Sequence, residues 1–252
     1  MSQIADASFI GKGEAFLQPY DGLSAAVSMG NCSEITIGQS QDEKSILDFT
    51  NAGGGKANSI SRNSGIPINI KAYDRNAHNM ALAALGSRST IAAAAVTAEP
   101  HVAFKGGLVP FDFIPDTTIA VVVKDATDTT TYVDGTDYIV NGAGIYVLSG
   151  SAIPDAVAGA VNLHVAYTKL ASSRVQALTQ SAQVYKLFVV GLNEAQSGKA
   201  AIVTVHRYKP GGAASIALIG DDYDPLDIPG ESLSDSAITE VGASKFWKYD
   251  FA

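Results

Sequence analysis

Only one stretch of this sequence carries apolar residues at helical spacing. Between residues 74 and 86, Ala77, Met80, Ala81, Ala84 and Leu85 recur on one face, with Asp74 and Gly86 suited to begin and end a helix. The rest reads as short alternating or β-branched runs broken by glycine, proline, asparagine and aspartate. A chain of 252 residues with a single short helix has to build its core from sheets. Residues 33–39 alternate, with Ile35 and Ile37 to one side and Glu34, Thr36 and Gly38 to the other. A charged turn at Asp42 and Glu43, a second strand and a polar, glycine-rich loop over residues 51–64 are expected next. Ile66, Ile68 and Ile70 then share one face of a strand whose start or edge position is marked by Pro67.

Beyond the helix the texture changes. Short strands are expected at 109–113, 119–123, 130–133, 138–140, 144–148 and 161–168, punctuated by Gly135, Gly142, Gly150 and Gly159. Turn signals at this spacing predict a compact all-β insert over residues 106–168, leaving 1–105 and 169–252 as the core domain. Within the core, residues 1–10 read as an arm, 14–17 and 25–29 as strands, and 184–192 and 200–208 as longer strands. An acidic turn over 221–227 precedes an expected closing hairpin made of 232–241 and 245–251.

Composition removes several function classes. The net charge of −8 argues against a protein that grips nucleic acid, which needs clustered Lys and Arg. Charged residues make up 17% of the chain, below the ~25% usual in soluble domains, which fits either surface withdrawn into subunit contacts or a polar surface rich in Ser, Thr and Asn. Cys32 stands alone, so no disulfide forms within the chain, and its apolar surroundings fit a small buried hydrophobe. The first residues lack the basic and apolar regions of a signal peptide, and the apolar runs are too short to span a bilayer. The sequon at Asn31 therefore has no secretory context.

No motif for chemistry is complete. Lys56 after Gly53, Gly54 and Gly55 fails as a phosphate loop, because Thr50 replaces the first glycine and Ala57 the magnesium-binding hydroxyl. His78, His101, His164 and His206 have no ligand spacing. The turn from Asp221 departs from a calcium loop at Leu226. No Gly-x-Ser-x-Gly elbow occurs. No cofactor, metal or enzymatic activity is expected.

The pattern across the chain resembles the phage tail tube proteins, also called major tail proteins. The resemblance rests on Gly30, Asn31 and Ser33 at a strand start, on the acidic Asp42 and Glu43, and on the loop at 49–55. It extends to the helix from Asn79 to the closing Gly86 and Ser87, to Gly11, Lys12 and Gly13, and to the strand at 185–193 followed by Gly198 and Lys199. It implies a mainly β, tail-tube-like sandwich or barrel flanked by a single α-helix and carrying the all-β insert on the tube exterior. It implies six copies to a ring and rings stacked around a lumen through which DNA leaves for the host. The expected partners are other copies of the chain, a tape measure protein, a tail terminator, baseplate or tip proteins, and genomic DNA in unspecific transit. The expected location is the virion tail, assembled in the host cytoplasm.

The resemblance places Asn51, Gly53, Gly54, Gly55, Lys56 and Asn58 at the contact between rings. Glu34, Thr36, Gln39, Asp42 and Glu43 are the candidates for the lumen wall. Two alternatives remain open: a tube protein of a secretion system, and a β-rich tail component that binds a receptor or carbohydrate. The last would need an aromatic platform, for which Tyr132, Tyr138 and Tyr146 are the candidates.

Overall fold

A computed structural model describes residues 8–50, 52–180 and 183–252. Among these residues the chain is mainly β with one α-helix, several antiparallel sheets and no closed barrel. In order, the first elements are β1 (Gly11–Pro19), β2 (Val27–Ser28), β3 (Cys32–Ile37), β4 (Ser40–Leu47), β5 (Lys56–Gly65), β6 (Pro67–Ala72), α1 (Ala77–Ala83) and β7 (Ser87–Ile91). There follow β8 (Ala94–His101), β9 (Leu108–Pro110), β10 (Val122–Asp125), β11 (Tyr138–Asn141), β12 (Gly144–Val147), β13 (Leu163–Lys169) and β14 (Ser172–Gln176). The chain ends with β15 (Tyr185–Asn193), β16 (Lys199–Pro210), β17 (Leu226–Ser232) and β18 (Trp247–Phe251). Two compact units result: Met1–Arg88 with Val175–Ala252, and Ser89–Arg174.

The first unit is built on an eight-stranded sheet in the order β2-β1-β15-β16-β17-β6-β3, with β18 also paired to β16. β16 is long enough to serve two neighbours: Ala201–Val205 pair β18 and Tyr208–Pro210 pair β17. Inward positions alternate as a half-buried sheet requires, with Leu17, Ile68, Ile70, Leu187, Val205, Tyr208 and Ile228 in one core that Leu82 of α1 joins. Pro67 is the first residue of an interior strand, and its carbonyl accepts from Gly38 N at 2.8 Å.

The second unit places β10-β13-β8 and β11-β12-β9 around their own core of Val109, Val123, Tyr138, Ile145, Leu163, Val165 and Tyr167. Asp137 organises its turns by accepting from Val133 N at 2.9 Å and Ala152 N at 2.8 Å. The Val133 bond first, then the Ala152 bond, hold its carboxyl below the usual range.

Several expectations need correction. The insert is wider than 106–168, because β8 pairs β13 from Leu163↔His101 to Lys169↔Ala94 and so belongs with it. The helix starts two residues later than expected: Asn76 caps it by accepting from Asn79 N, while Asp74 lies before it. The left-handed residue at its end is Leu85, at φ 47°, rather than Gly86. Gly86 is needed for another reason, since a Cβ there would meet Gln176 O at 2.3 Å. The closing hairpin does not form. β18 pairs β16 instead of residues 232–241, because Trp247 can then pack against the main core. The acidic turn gives way at Leu226 to β17, whose Leu226 and Ile228 are buried.

Candidate functional site

The largest departure from the sequence reading is a projecting hairpin. Residues 51–64 are not a long loop. From Lys56 they form β5, paired with β4 from Ser40↔Gly65 to Leu47↔Lys56 in a sheet of two strands only. The polar, side-chain-poor composition fits a strand that no core covers. Asp48 N donates to Gly55 O at 2.7 Å to close the end, and Gly53 and Gly54 take the positive φ that a tight reversal needs. Gly53, Gly54 and Gly55 thus sit in the turn, and Lys56 and Asn58 in the returning strand. Asn51 lies outside the described residues.

Every residue of β4 is exposed, and every residue of β5 except Gly65. Period-two geometry puts Ile46 and Ile60 on one face, since Lys44 opposes Ile60 and Ile46 opposes Asn58. Ile46 is 65% exposed, Ile60 54% and Phe49, near the tip, 85%. A two-stranded hairpin is marginally stable alone, and this one leaves its apolar residues in water.

The lumen candidates divide between two sheets. Glu34 and Thr36 lie on the exposed face of β3, where Glu34 Oε2 accepts from Lys71 Nζ at 2.7 Å. Gln39 lies in the short connection after β3 and is exposed. Asp42 and Glu43 are not in a turn after that strand; they lie in β4 of the hairpin, with Glu43 bridged to Lys56 at 2.5 Å. The five residues therefore do not share one strand, because the chain leaves the main sheet at Gly38.

Beside β3 and β18 runs an apolar groove of about 840 Å³, lined among others by Ile35, Ile37, Val203, Trp247, Tyr249 and Phe251. Cys32 borders it; burial first, then Asp74 and Glu14, push its thiol up to about 11, so it stays protonated and unreactive. Phe251 is 73% exposed on a strand that pairs with β16.

The paired motifs at Gly30 and Asn79 meet in one cluster. Gly30 has φ 73°, and a Cβ on it would collide with the Asp74 carboxylate. Asp74 Oδ2 accepts from Asn31 N at 3.1 Å, and buried Asn79 donates through Nδ2 to Met29 O at 2.8 Å and Asp74 O at 2.7 Å. The cluster ties the entry of β3 to the start of α1 as a structural joint.

Of the three candidate platform tyrosines, Tyr132 and Tyr138 are buried in the second core and only Tyr146 is exposed. Cross-strand packing claims the other two. No group of three metal-ligating side chains occurs among the described residues. No helix among them is long and apolar enough to cross a membrane. A family model described as "Protein of unknown function UCP028589" matches residues 8–250. No curated protein matches the chain.

Proposed function

The chain belongs to this family of unknown function, and we propose that it is a structural subunit of a bacteriophage tail tube, polymerising as stacked rings around a lumen for DNA. One observation carries this reading: the hairpin of β4 and β5 is solvent-exposed along its length and presents Ile46, Leu47, Phe49 and Ile60 to water. A folded monomer gains nothing from such an arm, whereas a neighbouring copy can bury its apolar side chains and complete its pairing. The eight-stranded sheet supports the same conclusion. Among the described residues it does not close on itself, and β3 at its end has one ladder only. Assembly is the physical remedy for both, since closure among subunits removes open edges.

In this reading the hairpin carries the inter-ring contact, and the exposed face of β3, with Glu34 and Thr36, is the better candidate for the lumen wall. An acidic or neutral wall lets DNA pass, since only basic side chains release its counterions and hold it. Asp42 and Glu43 belong to the assembling arm instead. The glycan-binding reading has less support. A glycan-binding component lacks the aromatic platform, with two of its three tyrosines buried. Electron microscopy of the purified chain tests the proposal: rings or tubes are expected, and monodisperse particles at concentrations where tube subunits polymerise would overturn it.

A further inference from the structure

The apolar groove beside β3 and β18 is the core face of the main sheet, carried past its buried part. On that face Leu17, Leu187, Val205 and Trp247 stand in register, and the first three are fully buried. The next row, Ala15, Val189, Val203 and Tyr249, opens toward solvent at Tyr249. The row beyond it is Gly13, Gly191, Ala201 and Phe251. Three of these four positions carry a methyl group or no side chain, so the floor sinks beside an exposed aromatic ring. Ile35 and Ile37 of β3, both half-buried, line the same groove. Lys12 and Lys199, also on its lining, are exposed and make no ion pair among the described residues.

We propose that this groove receives the tip of the β4–β5 hairpin of a second copy, with Phe49 as the anchor. The proposal rests on the tube reading and names the surface that the hairpin meets. The hairpin does not serve its own groove. Its strand β4 has eight residues, about 27 Å of extended chain, and stays paired to β5, and no described hairpin residue lines the groove. Phe49 is the only aromatic residue between Ser40 and Gly65, and it stands in water. A recess with a side-chain-poor floor and apolar walls suits such a ring. Charge matches as well: from residue 45 to 55 the only charged side chain is Asp48, next to Phe49, and it arrives against Lys12 and Lys199. Burying one Phe covers about 150–250 Å², well short of the ~800 Å² per partner of a stable pair, so a single contact is weak and holds when many copies repeat it. Tip and groove are different surfaces. A head-to-tail contact of this kind closes into rings or runs on as a filament, whereas a two-fold contact stops at a pair.

The test replaces Phe49 of the otherwise intact chain with the photo-crosslinking residue benzoylphenylalanine, which keeps an aromatic ring at the tip. The protein is irradiated over a range of concentrations, viewed by electron microscopy, and its linked peptides are mapped by mass spectrometry. Links between two copies are expected, from position 49 to peptides that carry Val203 or Trp247–Phe251. Links through the groove without rings or tubes would support the groove and overturn the tube reading. Rings or tubes whose links fall outside the groove would overturn the groove and leave the tube reading standing. No link between copies at any concentration would overturn the groove. Phe49→Ala is the second variant: it should raise the concentration needed for assembly about tenfold or more, the scale of one buried Phe side chain. Phe49 is exposed in the single chain, so its melting curve should not move. Assembly of Phe49→Ala at the unchanged concentration would also overturn the proposal.

Discussion

At the scale of single residues, the joint at Gly30 and Asn79 is where the sequence motif and the physics coincide. Asn79 is fully buried, and its amide satisfies two backbone carbonyls from different segments. Asn79→Ala leaves both carbonyls without their donor, at a cost of about 1–3 kcal/mol. Urea denaturation of the dispersed subunit should show the midpoint falling accordingly; an unchanged midpoint would mean the joint carries no stability. Histidines set a separate expectation. His78 and His206 are both held below the ordinary 6.5, chiefly by burial. Below pH 6.5 the unfolded chain takes up protons that the folded chain resists, so their contribution is complete above that pH and is lost as pH falls toward the folded values. The carboxylates act lower: Asp125, held down to about 2 first by the Thr127 hydroxyl, loses its contribution only below its ordinary 3.8. Stability should therefore drop between about pH 7.5 and pH 5.5, and the drop should shrink when both histidines become Gln. Equal midpoints at the two pH values would contradict the assignment.

Among the elements, the hairpin separates what composition can and cannot reveal. Its glycines and polar side chains hid β5, because strand patterning in a sequence reports burial on one face, and this strand has no buried face. The strands with an apolar face were legible: Ile68 and Ile70 of β6, and Val203 and Val205 of β16, alternate into the core. The single helix was legible from its spacing, but its cap was not, since Asp74 and Asn76 are equally good capping residues and only Asn76 has the geometry. The pairing of β18 with β16 was hidden for another reason: it joins segments more than forty residues apart, and no local signal encodes that choice. Exposure also predicts dynamics. In the dispersed subunit, amide hydrogens of β4 and β5 should exchange far faster than those of β15 and β16, and assembly should protect them. Hairpin amides as slow as those of β15 before assembly would show that the arm is stable without a neighbour.

For the whole molecule, the second unit is an insertion with its own core, entered and left through β7 and β14, which pair with each other. Gly86 and Gln176 are in close contact at the root, so a short Gly-Ser linker can join Arg88 to Val175. Excising 89–174 should leave the first unit folded, with the circular dichroism of an antiparallel sheet and a cooperative melt. Loss of the cooperative melt would show that the first unit depends on the second. The central claim is that the chain is a tube subunit whose exposed hairpin drives assembly, and the most direct measurement compares two proteins by negative-stain electron microscopy. One is the intact chain. In the other, an Asn-Gly turn replaces residues 42–62, joining Gln41 to Asn63, which already face each other. The account predicts rings or tubes from the intact chain and only dispersed, folded subunits from the variant. Full-length tubes from the variant, or no assembly by the intact chain, would contradict it.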